Sequence, residues 1–291
     1  MHYMSSAKRI AAIHDLSGFG RVSLTVVIPI LASMGFEVCP MPTAILSNHT
    51  QYPDYSFLDL TDEMPKFIEM WKKRGAQFDA IYSGYLGSSR QVRIVEDVIR
   101  EFRREQTIVV VDPVLGDDGH LYSGITQELV REMRGLITKA DIITPNFTEL
   151  FALLDRPYSA VNSDEALKKD MLELSERGPD TVIITSVPVA SRPGLTSTYA
   201  YSREGGRFWK VTAPYMPAHY PGTGDAFTSV VTGAIMQGDS LPVALDRAQQ
   251  FILQGIRSSF GHNYDAREGF LLEKVLPNLA MPIQMETYEL L

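Results

Sequence analysis

The 291 residues include a single cysteine, Cys39. An internal disulfide and a cysteine-based zinc site are both excluded, and the chain is expected in the cytoplasm, where thiols stay reduced. The six histidines are scattered singly, with no His-x-x-x-His pair, so a histidine metal centre has no support. No dense run of Lys or Arg occurs, and 35 acidic residues against 27 basic ones give a net charge of −8. A nucleic-acid partner is therefore not expected. The longest mainly apolar stretch, Leu24 to Ala32, is interrupted by Pro29 and falls far short of the ~20 residues that cross a bilayer. No signal-peptide pattern precedes the run Ile10 to Ile13, which passes straight into His14-Asp15. Repeats, low-complexity tracts and linkers are also lacking, which predicts one domain over residues 1–291.

What is present is an alternation of short apolar runs and helical patterns. Strands are expected at Arg9 to Ile13, Val38 to Leu46, Phe78 to Tyr82, Thr107 to Val111, Asp141 to Thr144 and Thr181 to Thr185. The β-branched run Thr107 to Val111 has the composition of a strand covered on both faces. Helices are expected at Ser23 to Met34, Thr61 to Lys73, Ser88 to Arg104, from Phe147, and at Asp164 to Arg177. A Glu-Gly-Gly turn joins Thr196 to Tyr201 and Phe208 to Thr212 as an antiparallel edge hairpin. Helices Ala226 to Gln237 and Pro242 to Ser259 complete the core, and Met281 to Leu291 is expected to be loosely held. The fold class is α/β: a mostly parallel central sheet with helices on both faces. In such sheets ligands sit beyond the carboxyl ends of the strands. The loops there are polar and glycine-rich: Asp15 to Gly20, Ser47 to Tyr52, Ser83 to Ser88, Asp112 to Gly119, and Pro145-Asn146.

The most informative stretch is Pro221-Gly222-Thr223-Gly224-Asp225-Ala226-Phe227. A glycine turn feeds a helix whose apolar face is formed by Ala226, Phe227, Val230, Val231, Ala234 and Ile235. Unpaired backbone N–H groups at such a helix start suit a phosphate. A carboxylate at the mouth of an anion site is costly unless it takes a proton from an attacking hydroxyl. Phosphoryl transfer to an alcohol follows, against the plainer reading of an ordinary turn with an aspartate cap.

A competing pattern is Gly18-Phe19-Gly20-Arg21-Val22-Ser23, which follows a strand, opens a helix and has Glu37 downstream. It approaches a dinucleotide-binding fingerprint and keeps an oxidoreductase as an alternative. Ser23 in place of the third glycine counts against it, as do Asp15-Leu16-Ser17 intervening before the first.

Five segments then occur in order: Ser47-Asn48-His49-Thr50-Gln51-Tyr52, Ser83-Gly84-Tyr85-Leu86-Gly87-Ser88, Asp112-Pro113-Val114-Leu115-Gly116-Asp117, Thr144-Pro145-Asn146 with Glu149, and Gly222-Thr223-Gly224-Asp225. The set resembles the pyridoxal/pyridoxamine kinases of the ribokinase-like superfamily. That resemblance implies a ribokinase-like sheet and ATP-dependent phosphorylation of the 5′-hydroxymethyl group of a vitamin B6 pyridine. It implies Mg²⁺, with Zn²⁺ as the alternative, a monovalent cation such as K⁺, and a homodimer. By the same resemblance, Asp225 is the base, and Gly222 and Gly224 form the anion hole. Asp112, Asp117, Thr144, Asn146, Glu149, Thr185, Ser186 and Thr223 line the nucleotide, with Asp112 and Glu149 nearest the metal. Thr50, Tyr85 and Asp15 bound the pyridine pocket, and Asp117 and Tyr122 lie on a segment resembling a flap over ATP. Asp15 departs from the family, where serine is common at this position; an aspartate there suits a protonated ring nitrogen or the ammonium of pyridoxamine. The departure leaves a hydroxymethylpyrimidine kinase of thiamine synthesis as the runner-up. A non-catalytic B6 carrier is disfavoured, because it has no use for Asp225 beside an anion hole.

Single residues have plainer expected roles. His14 is read as packed or hydrogen-bonded, His49 as a structural hydrogen-bond donor, and Phe19 as a buried anchor or a substrate stacker. The glycines at 116 and 119 suggest a flexible closing loop, and Ile99 to Gln106 a solvated helix face.

Overall fold

The computed structural model describes residues 7–159, 163–189, 192, 194–216, 219–280 and 288–291. In chain order the first half runs β1 (Arg9–Ser17), α1 (Leu24–Ser33), β2 (Glu37–Leu46), β3 (Phe57–Asp59), α2 (Met64–Arg74), β4 (Ala80–Ser83), α3 (Ser89–Phe102) and β5 (Ile108–Val111). A small hairpin follows, β6 (Gly116–Asp117) and β7 (His120–Leu121), then α4 (Gln127–Leu136), β8 (Ile142–Ile143), α5 (Phe147–Leu154) and α6 (Asp164–Glu176). The remainder is β9 (Thr181–Pro188), β10 (Leu195–Ser202), β11 (Arg207–Pro214), α7 (Thr223–Gln237), α8 (Leu241–Ser259), α9 (Leu272–Val275) and β12 (Tyr288–Leu290).

Ten strands make one sheet in the order β12-β11-β10-β9-β8-β5-β4-β1-β2-β3. From β9 through to β2 the pairing is parallel; β3 and β10 to β12 pair antiparallel at the two ends. Alternate side chains feed two cores. On β1, Ala11 and Ile13 face a layer with α2 to α6, while Ile10 and Ala12 face a layer with α1, α7 and α8. On β5, Val109 and Val110 divide the same way and both are buried, as expected of a strand covered on both sides. Each such buried side chain contributes about 1.5–3 kcal/mol from removal of apolar area.

The chain moves from β1 one way to β2 and the other way to β4, so the strand order reverses beside β1. That reversal opens a crevice at the carboxyl ends of β1 and β4, where ligands of open α/β sheets bind. The loops after β1, β2, β4, β5 and β8 all end on this rim.

Several expectations need correcting. The hairpin β10–β11 is not the outermost pair, because β12 adds to β11 with Trp209 opposite Leu290. The tail is thus held at residues 288–291, where Leu291 N also donates to the Phe208 carbonyl; the rest of the stretch expected to be loose, 281–287, lies outside the described residues. Helix α3 stops at Phe102, so the stretch to Gln106 is a turn leading into β5 rather than a helix face. Helix α2 begins at Met64, and Thr61 instead donates within a turn closed by Asp59.

Candidate active site

Helix α7 starts at Gly222, whose φ is +83. A Cβ there would also stand 2.0 Å from the Arg21 carbonyl oxygen, so only glycine fits on both counts. In front of Gly224 nothing lies within 4 Å. A side chain at Gly224 would therefore meet open space, and the N–H groups of a first helical turn carry partial positive charge. Thr223 Oγ1 donates to the Tyr220 carbonyl at 3.2 Å, which ties its hydroxyl into the loop.

Asp225 occupies the first turn of this helix. Its Oδ2 accepts the Ser23 backbone N–H at 2.8 Å, and its Oδ1 lies 4.0 Å from His14 Nδ1. Burial pushes its carboxyl up to about 7, further raised by the charge of Asp15 and opposed by the Ser23 bond. The ordinary carboxylate value near 3.9 does not apply to this side chain. His14 is fully buried, stacks edge-on against Tyr82, and has no hydrogen-bond partner on either ring nitrogen. Burial lowers its pKa to about 3, so it is neutral, and it is packed rather than hydrogen-bonded. Asp15, at the end of β1, accepts from Ser23 Oγ at 2.5 Å and from Ser17 Oγ at 3.2 Å. Burial raises its pKa against the pull of those two hydroxyls. Tyr85 is half-buried, and its phenol is raised by burial and by the nearby Asp15 charge, which brings the two predicted pocket residues together.

On the other side of Asp225 stands Asp112, at the end of β5. Its Oδ2 accepts from Thr228 Oγ1 at 3.2 Å, and the same hydroxyl meets Thr144 Oγ1 at 2.9 Å. Burial raises Asp112, and so does the charge of Asp225. Asn146 caps α5 and accepts from Thr148 N and Glu149 N, while Glu149 Oε2 accepts Asn146 N at 2.8 Å. This reciprocal capping box also reaches the β5 loop: Glu149 Oε1 accepts Leu115 N at 2.9 Å, and Asn146 Nδ2 donates to the Gly116 carbonyl at 2.7 Å. Burial and the Asp112 charge raise Glu149 well above its usual range.

Thr185 N donates to the Pro145 carbonyl at 3.0 Å, which sets Thr185 beside Asn146, and the neighbouring Ser186 has φ +58. Asp117 sits on β6 and is raised by burial. The glycine segment expected to be a slack loop is a tight hairpin. Asp118 (φ 49) and Gly119 (φ 79) both take left-handed conformations, as a two-residue turn of this hand requires. Its tip is pinned by Gly119 N donating to Thr148 Oγ1 at 2.9 Å. Tyr122 follows the hairpin and is pushed up by burial and by the surrounding carboxylates, Glu149 first. Thr50 is exposed on the β2 loop, and no hydrogen bond joins its side chain to the other predicted residues among those described. His49 does donate structurally, from Nε2 to the Arg267 carbonyl. Phe19 is 54 % exposed against the edge of Tyr52, so it is no buried anchor.

Three residues were not anticipated. Ser23 was read only as a failed glycine. Thr228 was hidden in an apolar pattern, although Thr223, Thr228, Ser229 and Thr232 form a hydroxyl-rich stretch in a buried helix. His219 precedes α7 and meets the Gln51 amide at 3.3 Å, linking the β2 loop to the α7 loop.

The site thus gathers Asp15, Asp112, Asp225 and Glu149, all drawn from water. Among the described residues no Lys or Arg pairs with any of them, and no group of three or more His, Cys, Asp or Glu is arranged to enclose a cation. Buried charges without partners are expensive. A cation that brings its own phosphate and water ligands would relieve the surplus. Donors that are all oxygen suit Mg²⁺ rather than Zn²⁺. Glu149 has both oxygens engaged by N–H groups, so of the two acids Asp112 is the one that could meet a cation directly, and Glu149 could act on one through water.

The dinucleotide alternative loses its footing here. Strand β1 continues through Ser17, so no slack precedes Gly18, contrary to the sequence reading. What removes the anion site is Asp225, whose carboxylate already occupies the Ser23 N–H at the start of α1.

A carboxylate in the first turn of a buried helix, a glycine turn beside it and buried acids nearby belong to a phosphotransferase of the ribokinase-like kind. Residues 65–268 match the phosphomethylpyrimidine kinase family, and the chain belongs to that family. A Bacteroides thetaiotaomicron protein, solved as a crystal structure with pyridoxal, is 69% identical, with a TM-score of 0.96 over 98% of this chain and 100% of that one. The Lactobacillus plantarum pyridoxal kinase structure is 31% identical, with a TM-score of 0.86, covering 94% and 97% of the two chains. A Corynebacterium diphtheriae pyridoxal kinase is 29% identical over 272 residues, 91% of this chain and 93% of that protein. No described helix is long and apolar enough to cross a membrane.

Proposed function

We propose that this chain is a vitamin B6 kinase that moves the γ-phosphoryl group of ATP onto the 5′-hydroxymethyl group of pyridoxal, pyridoxamine or pyridoxine. The observation that carries the reading is Asp225, a carboxylate held by Ser23 N–H at a helix start, beside Gly224, where a side chain would meet nothing. The substrate hydroxyl oxygen bonds to the γ-phosphorus while the bond from that phosphorus to the bridging oxygen of ADP breaks. The hydroxyl proton passes to Asp225 Oδ1, since Oδ2 is taken by Ser23 N–H, and ADP leaves. A base near pKa 7 is matched to neutral pH. Because the transition state is loose, positioning and charge stabilisation carry most of the rate. The N–H groups at Gly222 and Gly224 supply the latter where phosphoryl oxygens concentrate charge. Asp112 and, through water, Glu149 would hold Mg²⁺, which neutralises phosphate charge when bound. Thr144, Thr185 and Ser186 supply hydroxyls toward the triphosphate or a monovalent ion, with Asn146, Asp117 and Thr223 around them. Thr50, Tyr85 and Asp15 bound the pyridine. The chain works as one kinase domain, paired as a homodimer in the cytoplasm.

A second reading, hydroxymethylpyrimidine phosphorylation, draws on the name of the matching family. Turnover of ATP followed by ³¹P NMR with the three vitamers and hydroxymethylpyrimidine in parallel tests both. Phosphorylation of the pyrimidine alone overturns the B6 reading.

A further inference from the structure

The glycine segment after β1 finds its use at Ser23. This residue has φ 50 and ψ −130, a backbone state that suits glycine and lies outside the left-handed helical well that Asp and Asn tolerate. Its surroundings over-determine it. Arg21 N donates to the Glu268 carbonyl, the Arg21 side chain reaches Glu273 and Glu268, and the Arg21 carbonyl packs on Gly222. Strain of this kind persists at functional sites when the rest of the structure holds it. Ser23 is the N-cap of α1, yet its hydroxyl does not cap its own helix. The hydroxyl is spent on Asp15 Oδ1 at 2.5 Å, while the backbone N–H holds Asp225 Oδ2 at 2.8 Å. One residue therefore touches two carboxylates from different elements, β1 and α7.

We propose that Ser23 is a positioning residue that fixes Asp15 and Asp225 relative to each other, so that the substrate-binding acid and the base meet an incoming alcohol as one rigid pair. This rests on the kinase reading above. A serine in a glycine conformation is explained by its hydroxyl, because glycine would hold the same N–H with less strain. The charge of Asp15 also bears on Asp225, so displacing one disturbs the other. Other groups near Asp225 are the neutral His14 ring, Asp112, Tyr122 and Tyr82, whose hydroxyl lies 3.5 Å from the Asp225 carbonyl.

The test is steady-state kinetics of Ser23→Gly, Asp15→Asn and the double variant, with wild type turning over B6 vitamers as the control for the kinase reading itself. Ser23→Gly relaxes the backbone and keeps the N–H, so it is expected to fold and to retain the thermal shift given by ATP. A charge-assisted hydrogen bond is lost, so kcat/KM for the vitamer should fall about 10- to 100-fold, with KM for ATP within about twofold. The double variant should be no worse than Asp15→Asn alone, since the hydroxyl acts through Asp15. Unchanged kcat/KM in Ser23→Gly overturns the proposal. So do additive losses in the double variant, or an equal loss of ATP binding and thermal stability, which would make Ser23 a fastener of the loop.

Discussion

Replacing Asp225 by asparagine separates what the residue does for turnover from what it costs the fold. A carboxyl with a higher pKa in the folded than in the unfolded chain holds its proton more tightly when native. Its contribution favours folding below the unfolded value near 3.9 and is lost as pH rises through about 7. The rise from 3.8 to about 7 corresponds to a ceiling of roughly 4 kcal/mol. Because the side chain keeps 13 % exposure, about 2–4 kcal/mol is the realistic range. Asparagine preserves an oxygen for Ser23 N–H and removes the charge. At pH 8, without nucleotide or divalent cation, Asp225→Asn should therefore melt roughly 4–10 °C above wild type. Relief of Asp112, which feels the Asp225 charge, acts in the same direction. At pH 5 the wild-type carboxyl is protonated and most of the difference should vanish. Loss of the base should meanwhile lower kcat by ~10²–10⁴-fold. Scanning calorimetry from pH 5 to 8 with parallel kinetics decides the matter. A melting difference that ignores pH refutes the buried-charge reasoning, and retained turnover removes Asp225 from the mechanism.

The two glycines of the cradle should respond differently. Gly222→Ala forces a Cβ into the Arg21 carbonyl at positive φ and should lose more than about 2 kcal/mol in urea unfolding. Gly224→Ala meets nothing, so it should keep its melting temperature yet slow turnover by crowding the phosphoryl oxygens; full activity would show that phosphate does not approach there. Glu149→Ala leaves Asn146 N and Leu115 N without acceptors and should cost about 2–5 kcal/mol of stability, with KM for ATP raised; an unchanged unfolding midpoint counts against the capping role. Asp15→Ser should narrow any preference for pyridoxamine over pyridoxine in kcat/KM, and an unaltered ratio among the three vitamers sinks the link between that carboxylate and cationic substrates.

How much of this was legible in the chain depends on sequence distance. The Gly222 turn and the strand β5 are local patterns, and each took the form its residues imply, whereas Asn146 and Glu149 were singled out through the resemblance alone and their capping box came from the fold. Contacts that join distant segments carried no such mark. Ser23 and Asp225 are 202 positions apart, and Thr228 and Asp112 are 116 apart. The failed glycine at 23 was visible, but only the fold shows that the Asp225 carboxylate fills the place a phosphate would need. The raised pKa of Asp225 carried no mark in the chain for the same reason, since burial is a property of packing. The hairpin β6–β7 was missed because its strands are two residues each and its glycines read as slack.

The outermost position of β12 bears on how the chain is handled. Its three residues pair with Trp209, Lys210 and Val211 in the middle of β11, and so shield part of a ribbon that would otherwise offer itself to another molecule. Trimming the last four residues, or fusing a bulky partner there, uncovers that ribbon. Clumping during purification would then reflect a bared sheet margin, even where the catalytic rim is untouched.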